Sequence, residues 1–329
     1  MYNKLKKNSI LTYSNNKTKT TWNIINTSNI KPNTQNITSV NINGNLSFNG
    51  QIIAEIFNKY FLSVAQNMHV NYHNANAPSN HENPISYPSR AFNQPFPTIN
   101  LKCVSSKEIE DTSLKTKNSH GYDGISTKIL KSSIHYISSP LTYICNRMLS
   151  SGIFPTRLKF FEVKPIFKRG DKNDTSNYRP VSVLTSFSRI FEKVICIRLD
   201  HHINNNHIPI NEQFGFRHES TDIGPYKLTK NILTALNNKL LVGGIFCDLH
   251  KAFDCVNHDI LPSKMEFYGI SGKANNLIKS YLQDRYQRVL VDLDSNKYYS
   301  KWESVTDGVP LESLLGPLLF FYILMTYQT

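Results

Sequence analysis

The sequence predicts an α+β fold on three observations. Hydrophobic residues fill 40% of the 329 positions, enough for a packed core. Stretches with helical apolar spacing are interspersed with short Phe-, Val- and Ile-rich runs that read as strands. Residues 1–100, by contrast, hold 22 Asn and only two acids, Glu55 and Glu82. Such composition favours loops over packed elements, so an Asn-rich, mostly irregular and helical N-terminal region is expected ahead of the folded part.

Taken in chain order, the elements justify that class. Within 51–66, Ile52, Ile53, Ile56, Phe57, Tyr60, Phe61 and Val64 recur at helical spacing and predict one amphipathic helix. Residues 67–100 carry Pro78, Pro84, Pro88, Pro95 and Pro97 among repeated Asn and read as a linker. A short helix is expected over 104–114, opened by Ser105 or Ser106. HGYDGI at 120–125 is a turn. A helix follows over 127–150, where Pro140 predicts a break and Gly152 and Pro155 the close.

Two strands, 160–167 and 180–184, flank the polar loop KRGDKNDTSNYR. A helix spans 187–204. Val242–Asp248 (VGGIFCD) reads as a short strand ending in a carboxylate. Helices are expected over 258–268 and 273–282, with a hairpin of 287–291 and 299–305 around DSNK. The run Leu314–Met325 is too short to span a bilayer and contains Gly316 and Pro317, so it reads as buried core.

The net charge of +13 points to a polyanionic partner, nucleic acid first, although a solvated basic surface has the same arithmetic. The excess is local: +6 over residues 1–100, +8 over 101–200 and −1 over 201–329. Five scattered cysteines without a C-x-x-C pair suggest neither a disulfide framework nor a zinc ribbon. The N-terminus lacks the apolar run of a signal peptide. An intracellular protein of cytoplasm or nucleus is expected, neither secreted nor membrane-bound, with Asn-x-Ser/Thr triplets present by chance.

Three constellations could carry chemistry. Lys164, Lys168, Arg169, Lys172 and Arg179 lie in a strand–loop–strand frame. Such a hairpin can hold a triphosphate or a nucleic-acid backbone, and equally describes a solvated loop. Asp248 ends a β-rich run, with Asp254 and Asp259 following. A strand-terminal carboxylate can bind Mg²⁺ for phosphoryl transfer, or simply cap a turn. His250 and His258 with Cys247 and Cys255 lack tetrahedral-site spacing. Finally, GVPLESLLGPLLF at 308–320 describes a tight loop entering a buried helix, or a plain structural turn.

Their order and spacing say more than any one of them. EVKPIFKRGDKNDTSNYRPVSVLTSFSRIFEKVI, EQFGFRHEST, GIFCDLHKAFDCVNHDIL, YGISG with SYLQDRYQRV, and GVPLESLLGPLLFF follow one another. Together they resemble the reverse transcriptases of non-LTR (LINE-type, jockey-like) retrotransposons. GYDGISTKILK and GIFP are similar to the segment just upstream in that family. KTTWNIIN and IAEIFNKYFLSVA are similar to its endonuclease–polymerase linker. The resemblance covers about residues 50–329.

The resemblance implies a right-hand polymerase: a linker region over 1–100, fingers over 101–240 and part of the palm over 241–329. It implies that Lys168 and Arg179 grip the incoming nucleotide. Gln213, Phe214 and Gly215, with Phe216, would shape the template track. Asp248 would be the first catalytic aspartate and a Mg²⁺ ligand, joined by the main-chain carbonyl of Leu249. Phe253 would be the steric gate against a ribose 2′-OH, and Gly308 and Pro310, with Val309 between them, would position the nucleotide. Partners would be an RNA template, a DNA primer and dNTP, with no inference about oligomeric state.

Two departures qualify this. The family's Gln-Gly-Ser after GVP is here Leu311-Glu312-Ser313, which puts a carboxylate where the chain turns closely. The family's Ala-Asp-Asp motif lies downstream of this helix, and the sequence reaches Thr329 without it. The expectation is therefore a truncated reverse transcriptase copy, inactive alone. The alternatives are a non-catalytic RNA-binding remnant and a functionless pseudogene product.

Overall fold

The computed structural model describes residues 20, 37–42, 44–74, 96–112, 116, 118–208, 214–215, 222–249 and 251–325. In helix Gly50–Asn74 its side chains are described through residue 67. Most of the expected linker, 75–95, and the KTTWNIIN segment apart from Thr20 lie outside these residues.

The element order is β1 (Val40–Ile42), β2 (Asn45–Ser47), α1 (Gly50–Asn74), α2 (Ser106–Glu110), α3 (Thr127–Ser151), β3 (Phe160–Phe167), β4 (Tyr178–Val183), α4 (Ser186–Asn205), α5 (Ile223–Asn237), α6 (Ile260–Phe267), α7 (Lys273–Leu282), β5 (Arg285–Leu293), β6 (Asn296–Tyr299), β7 (Glu303–Val305) and α8 (Gly316–Leu324). Mixed helices and sheets make the class α+β. A five-stranded sheet runs β4-β3-β5-β6, with β7 also on β5. β3 pairs antiparallel with β4 and parallel with β5, so residues on either side of position 240 share one sheet.

Strand alternation explains the two cores. Phe161, Val163, Val289 and Val291 face one way and pack under Ile53, Phe57 and Phe61 of α1. The second core is helical: α3, α4, α6, α7 and α8 bury Leu130, Leu141, Met148, Phe191, Leu199, Leu277, Leu319 and Phe321. The apolar run 314–325 contributes helix α8 to this core, as its composition required. No described helix is long and apolar enough to cross a membrane.

α1 is bound by more than its apolar stripe. The Asn49 side chain accepts from the N–H groups of Gln51 and Ile52, capping the helix. Between β6 and β7 the ladder is interrupted at 300–302, leaving backbone groups to be satisfied. A polar stripe of α1 does this. Gln51 donates to the Tyr299 carbonyl, Glu55 accepts from Lys301 N–H, and Asn58 donates to the Lys301 carbonyl. Asn58 also accepts from the Gln287 amide at 3.0 Å and is fully buried.

Two local expectations are corrected. α3 continues through Pro140 instead of breaking. Pro140 and Tyr136, whose carbonyl loses its partner, both lie on the exposed face, where solvent serves that carbonyl. The expected strand Val242–Asp248 is irregular and exposed, with Ile245 93% and Phe246 85% accessible. β propensity is a preference for a paired, half-buried surface, and among the described residues no strand lies beside this segment.

Candidate nucleotide site

The hairpin β3–β4 holds its loop rigidly through local chemistry. Phe167 pairs with Tyr178 at the top of the ladder, and Lys168 N–H donates to the Asn177 carbonyl at 2.9 Å. Asp171 and Asp174 accept from the N–H groups of Asn173 and Ser176, two Asx turns that shape the loop. The Tyr178 hydroxyl donates to the Lys172 carbonyl at 2.7 Å. Lys168 and Arg179 remain exposed at the hairpin end.

Facing them is the turn after the irregular 242–249 segment. Lys168, Tyr178, Arg179, Asp248, Leu249, Lys251, Phe253, Asp254 and Leu311 are among the residues that line one cleft of about 330 Å³. That is the size class of a small-ligand pocket. Burial pushes the Asp254 carboxyl up to about 6, opposed by the Lys251 charge. The Phe253 ring is braced by Phe320 of α8, centroids 4.9 Å apart. Its carbonyl accepts from Val309 N–H at 2.9 Å.

Gly308 and Pro310 border a smaller adjoining cavity of about 40 Å³, which shares Pro180, Asp254 and Leu311 with the cleft. Gly308 has φ +80°, and a Cβ there would meet the Asp254 carbonyl oxygen at 2.8 Å. The glycine is thus required by both conformation and close approach. In the turn after it, Ser313 N–H bonds to the Pro310 carbonyl and Glu312 adopts φ +75°. This is the place where Leu-Glu-Ser stands in the sequence.

The sequence-derived residues thus divide. Lys168, Arg179, Asp248, Leu249 and Phe253 come together in the cleft, with Gly308 and Pro310 beside it. Phe214 and Gly215 do not line it; Phe214 lies under Lys227, 5.4 Å from ring centroid to Nζ. Gln213 and Phe216 lie outside the described residues. Asp248 lies in an exposed irregular stretch rather than at the end of a buried strand. Sequence reasoning gave Lys251 no role, although it lies within GIFCDLHKAFDCVNHDIL, and named Leu311 only as a departure after GVP; His258, a candidate metal ligand by its residue type, instead bonds through Nε2 to the Gly308 carbonyl.

As donors for a divalent ion, the cleft offers the Asp248 and Asp254 carboxylates and the Leu249 carbonyl, hard oxygens of the type Mg²⁺ takes. Among the described residues no group of three or more His, Cys, Asp or Glu side chains is gathered to hold a metal. The donor type fits Mg²⁺, but the number gathered among the described residues falls short of a two-metal centre.

A basic hairpin end thus faces, across one cleft, a segment that carries a carboxylate and an aromatic ring. Residues 166–327 match the family described as reverse transcriptase (RNA-dependent DNA polymerase). The chain is 34% identical over 233 residues to the probable RNA-directed DNA polymerase from transposon BS of Drosophila melanogaster, covering 68% of this chain and 24% of that protein. It is 32% identical to the probable RNA-directed DNA polymerase from transposon X-element of the same species, over 61% of this chain and 22% of that one. Against the RNA-directed DNA polymerase from mobile element jockey the identity is 30%, over 68% and 24%. This chain carries a reverse transcriptase domain of the family found in the RNA-directed DNA polymerases of non-LTR retrotransposons. It spans about a quarter of the length of the curated relatives it matches.

Proposed function

We propose that the cleft between the β3–β4 hairpin and residues 248–253 receives the incoming deoxynucleoside triphosphate of RNA-templated DNA synthesis. What supports this is the convergence of Lys168, Arg179, Asp248, Leu249 and Phe253, from separate stretches of chain, on one cavity. In this reading residues 101–240 serve as fingers and 241–329 as part of the palm, with residues 1–100 leading into them. Lys168 and Arg179 pair with phosphate oxygens, Arg179 with a planar fork suited to two of them. Phe253, held by Phe320, crowds the 2′ position and disfavours a ribonucleotide. Gln213, Phe214 and Gly215 border the template track. Gly308 and Pro310 hold the loop behind the nucleotide.

Mg²⁺, held by Asp248 and the Leu249 carbonyl, supplies charge neutralisation at the phosphates when bound. The remaining partners in this reading are an RNA template and a DNA primer, which implies an intracellular setting. Because the gathered donors fall short of a two-metal centre, this chain alone binds nucleotide without extending a primer.

Titration with a fluorescent dTTP analogue in Mg²⁺, alongside primer extension on an RNA template, tests both halves. Saturable binding that weakens in Lys168→Ala and Arg179→Ala is the expected result. No binding would overturn the site. Robust incorporation abolished by Asp248→Ala would overturn the inactivity.

A further inference from the structure

α1 lies outside residues 166–327, yet it reaches the cleft. Lys251 stands between Asp248 and Phe253, and its Nζ donates to the Tyr60 hydroxyl of α1. The same Nζ sits 4.6 Å from the centroid of the Tyr60 ring, within cation–π range. The Lys251 backbone is left-handed at φ +51°, a conformation a non-glycine residue keeps only where its surroundings hold it. Its carbonyl accepts from Asp254 N–H at 3.0 Å.

The two halves of this segment are secured differently. The back half is tied to the Gly308 loop through Val309 N–H to the Phe253 carbonyl and Gly308 N–H to the Val256 carbonyl. The front half, which carries Asp248, is tied at Lys251 to α1. α1 can bear that load: Phe57 and Phe61 sit in the sheet core, and Asn58 is bonded into the β6–β7 break. Phe61, Leu62 and Ala65 also wall the small cavity behind Asp254 and Gly308.

We propose that Tyr60 is a positioning residue for the nucleotide cleft, holding Lys251 and through it the Asp248–Phe253 turn opposite Lys168 and Arg179. The N-terminal helix is then a working part of the site rather than an approach to it. This rests on reading the cleft as the dNTP site, but the geometry of the clamp can be tested separately.

Three variants of the full chain separate the contributions. Tyr60→Phe keeps the ring and loses the hydroxyl, Tyr60→Leu loses both, and Lys251→Met removes the charge. Hydrogen exchange read by mass spectrometry over residues 246–256 should speed up about tenfold in Tyr60→Leu and Lys251→Met. The increase in Tyr60→Phe should be smaller, since the cation–π contact survives. Exchange over 50–66 should stay as in the parent. The dissociation constant of Mg²⁺·dTTP should rise in the same order.

Unchanged exchange over 246–256 in all three variants overturns the clamp. So does loss of protection over 50–66, because the helix would then be melting rather than releasing the turn. Absent dTTP binding by the parent protein overturns the nucleotide reading instead, and the exchange data still decide the clamp.

Discussion

The Nε2 atom of His258 lies 2.7 Å from the carbonyl oxygen of Gly308. The bond joins the turn after Asp254 to the loop that opens GVP, beside the Gly308 N–H to Val256 carbonyl bond of 2.8 Å. By residue type His258 is a candidate metal ligand beside Cys255, without the spacing of a tetrahedral site. In the fold it is a bolt between two loops that border the cleft.

This bolt makes stability pH-dependent in a definite sense. Burial holds the His258 imidazole below its ordinary pKa, partly offset by the bond to Gly308. The unfolded chain therefore binds the proton more readily than the fold. The stability it contributes is complete above the ordinary histidine value and is lost as pH falls through the lowered folded one. Urea melts of the parent and His258→Gln should show their stability difference shrinking as pH drops from about 7.5 to about 5. Taking the difference removes the opposite contribution of Asp254, whose raised pKa favours the fold at low pH. A difference that is flat in pH would refute the assignment.

Glu312 occupies a left-handed position at φ +75° in the turn closed by Ser313 N–H and the Pro310 carbonyl. The third position of such a turn suits glycine. Glu312→Gly relieves the backbone strain, a cost of order 1–3 kcal/mol, and part of that gain is offset by the looser unfolded chain. The expected net is a stabilisation of about 1 kcal/mol, seen as a higher urea midpoint at unchanged slope. Glu312→Ala, which keeps the strain and removes the charge, should gain little, so the pair tells conformation from electrostatics.

How much of this was legible in the sequence depended on how local its cause was. Strand β3 and helices α4 and α7 fall within a residue or two of their expected ends, because their apolar period is written in adjacent residues. Val242–Asp248 has the composition of a strand but no partner beside it, and composition does not supply partners. The apolar face of α1 was visible as Ile53, Phe57 and Phe61. Its polar stripe, Gln51, Glu55 and Asn58, acquires meaning only from a backbone break some 240 residues away. In the cleft, the residues with a motif around them were found. The clamp of Tyr60 on Lys251 was not, because a pair so distant in sequence leaves no local pattern.

Arg288 and Glu162 face each other across the parallel β3–β5 pair, with Nη2 2.6 Å from the carboxylate. The guanidinium also stacks between Tyr299 and Trp302, 4.3 and 4.7 Å from their centroids. Glu162 is only 7% exposed, so removing its partner strands a buried charge. Arg288→Met should cost about 3 kcal/mol, the low end of the range for a broken buried pair, because Arg288 keeps 24% exposure. Adding Glu162→Gln should recover much of the loss. Arg288→Lys should not substitute, since an ammonium cannot stack between two rings as a planar fork does. Thermal melts of the parent, Arg288→Met, Glu162→Gln and the double variant form the cycle, with Arg288→Lys read beside it.

Asn58 tests whether α1 belongs to the fold. Its amide donates to the Lys301 carbonyl at 3.1 Å and accepts from Gln287 at 3.0 Å, with the side chain fully buried. Asn58→Ala takes a hydrogen bond from each partner at a fully buried position, leaving the Lys301 carbonyl only its bond from Ser300 Oγ, at a cost of about 1–3 kcal/mol. Asn58→Leu is close in volume and restores packing, yet it must cost at least as much if the hydrogen bonds are what matters. Asn58→Asp keeps the acceptor for Gln287 and loses the donor to Lys301, so it should fall below the parent and bury a charge as well. An α1 that were only a tether would let all three variants melt with the parent. Helix docking predicts a single cooperative transition, displaced to lower urea in each, with exchange protection over 50–66 lost together with that of β5.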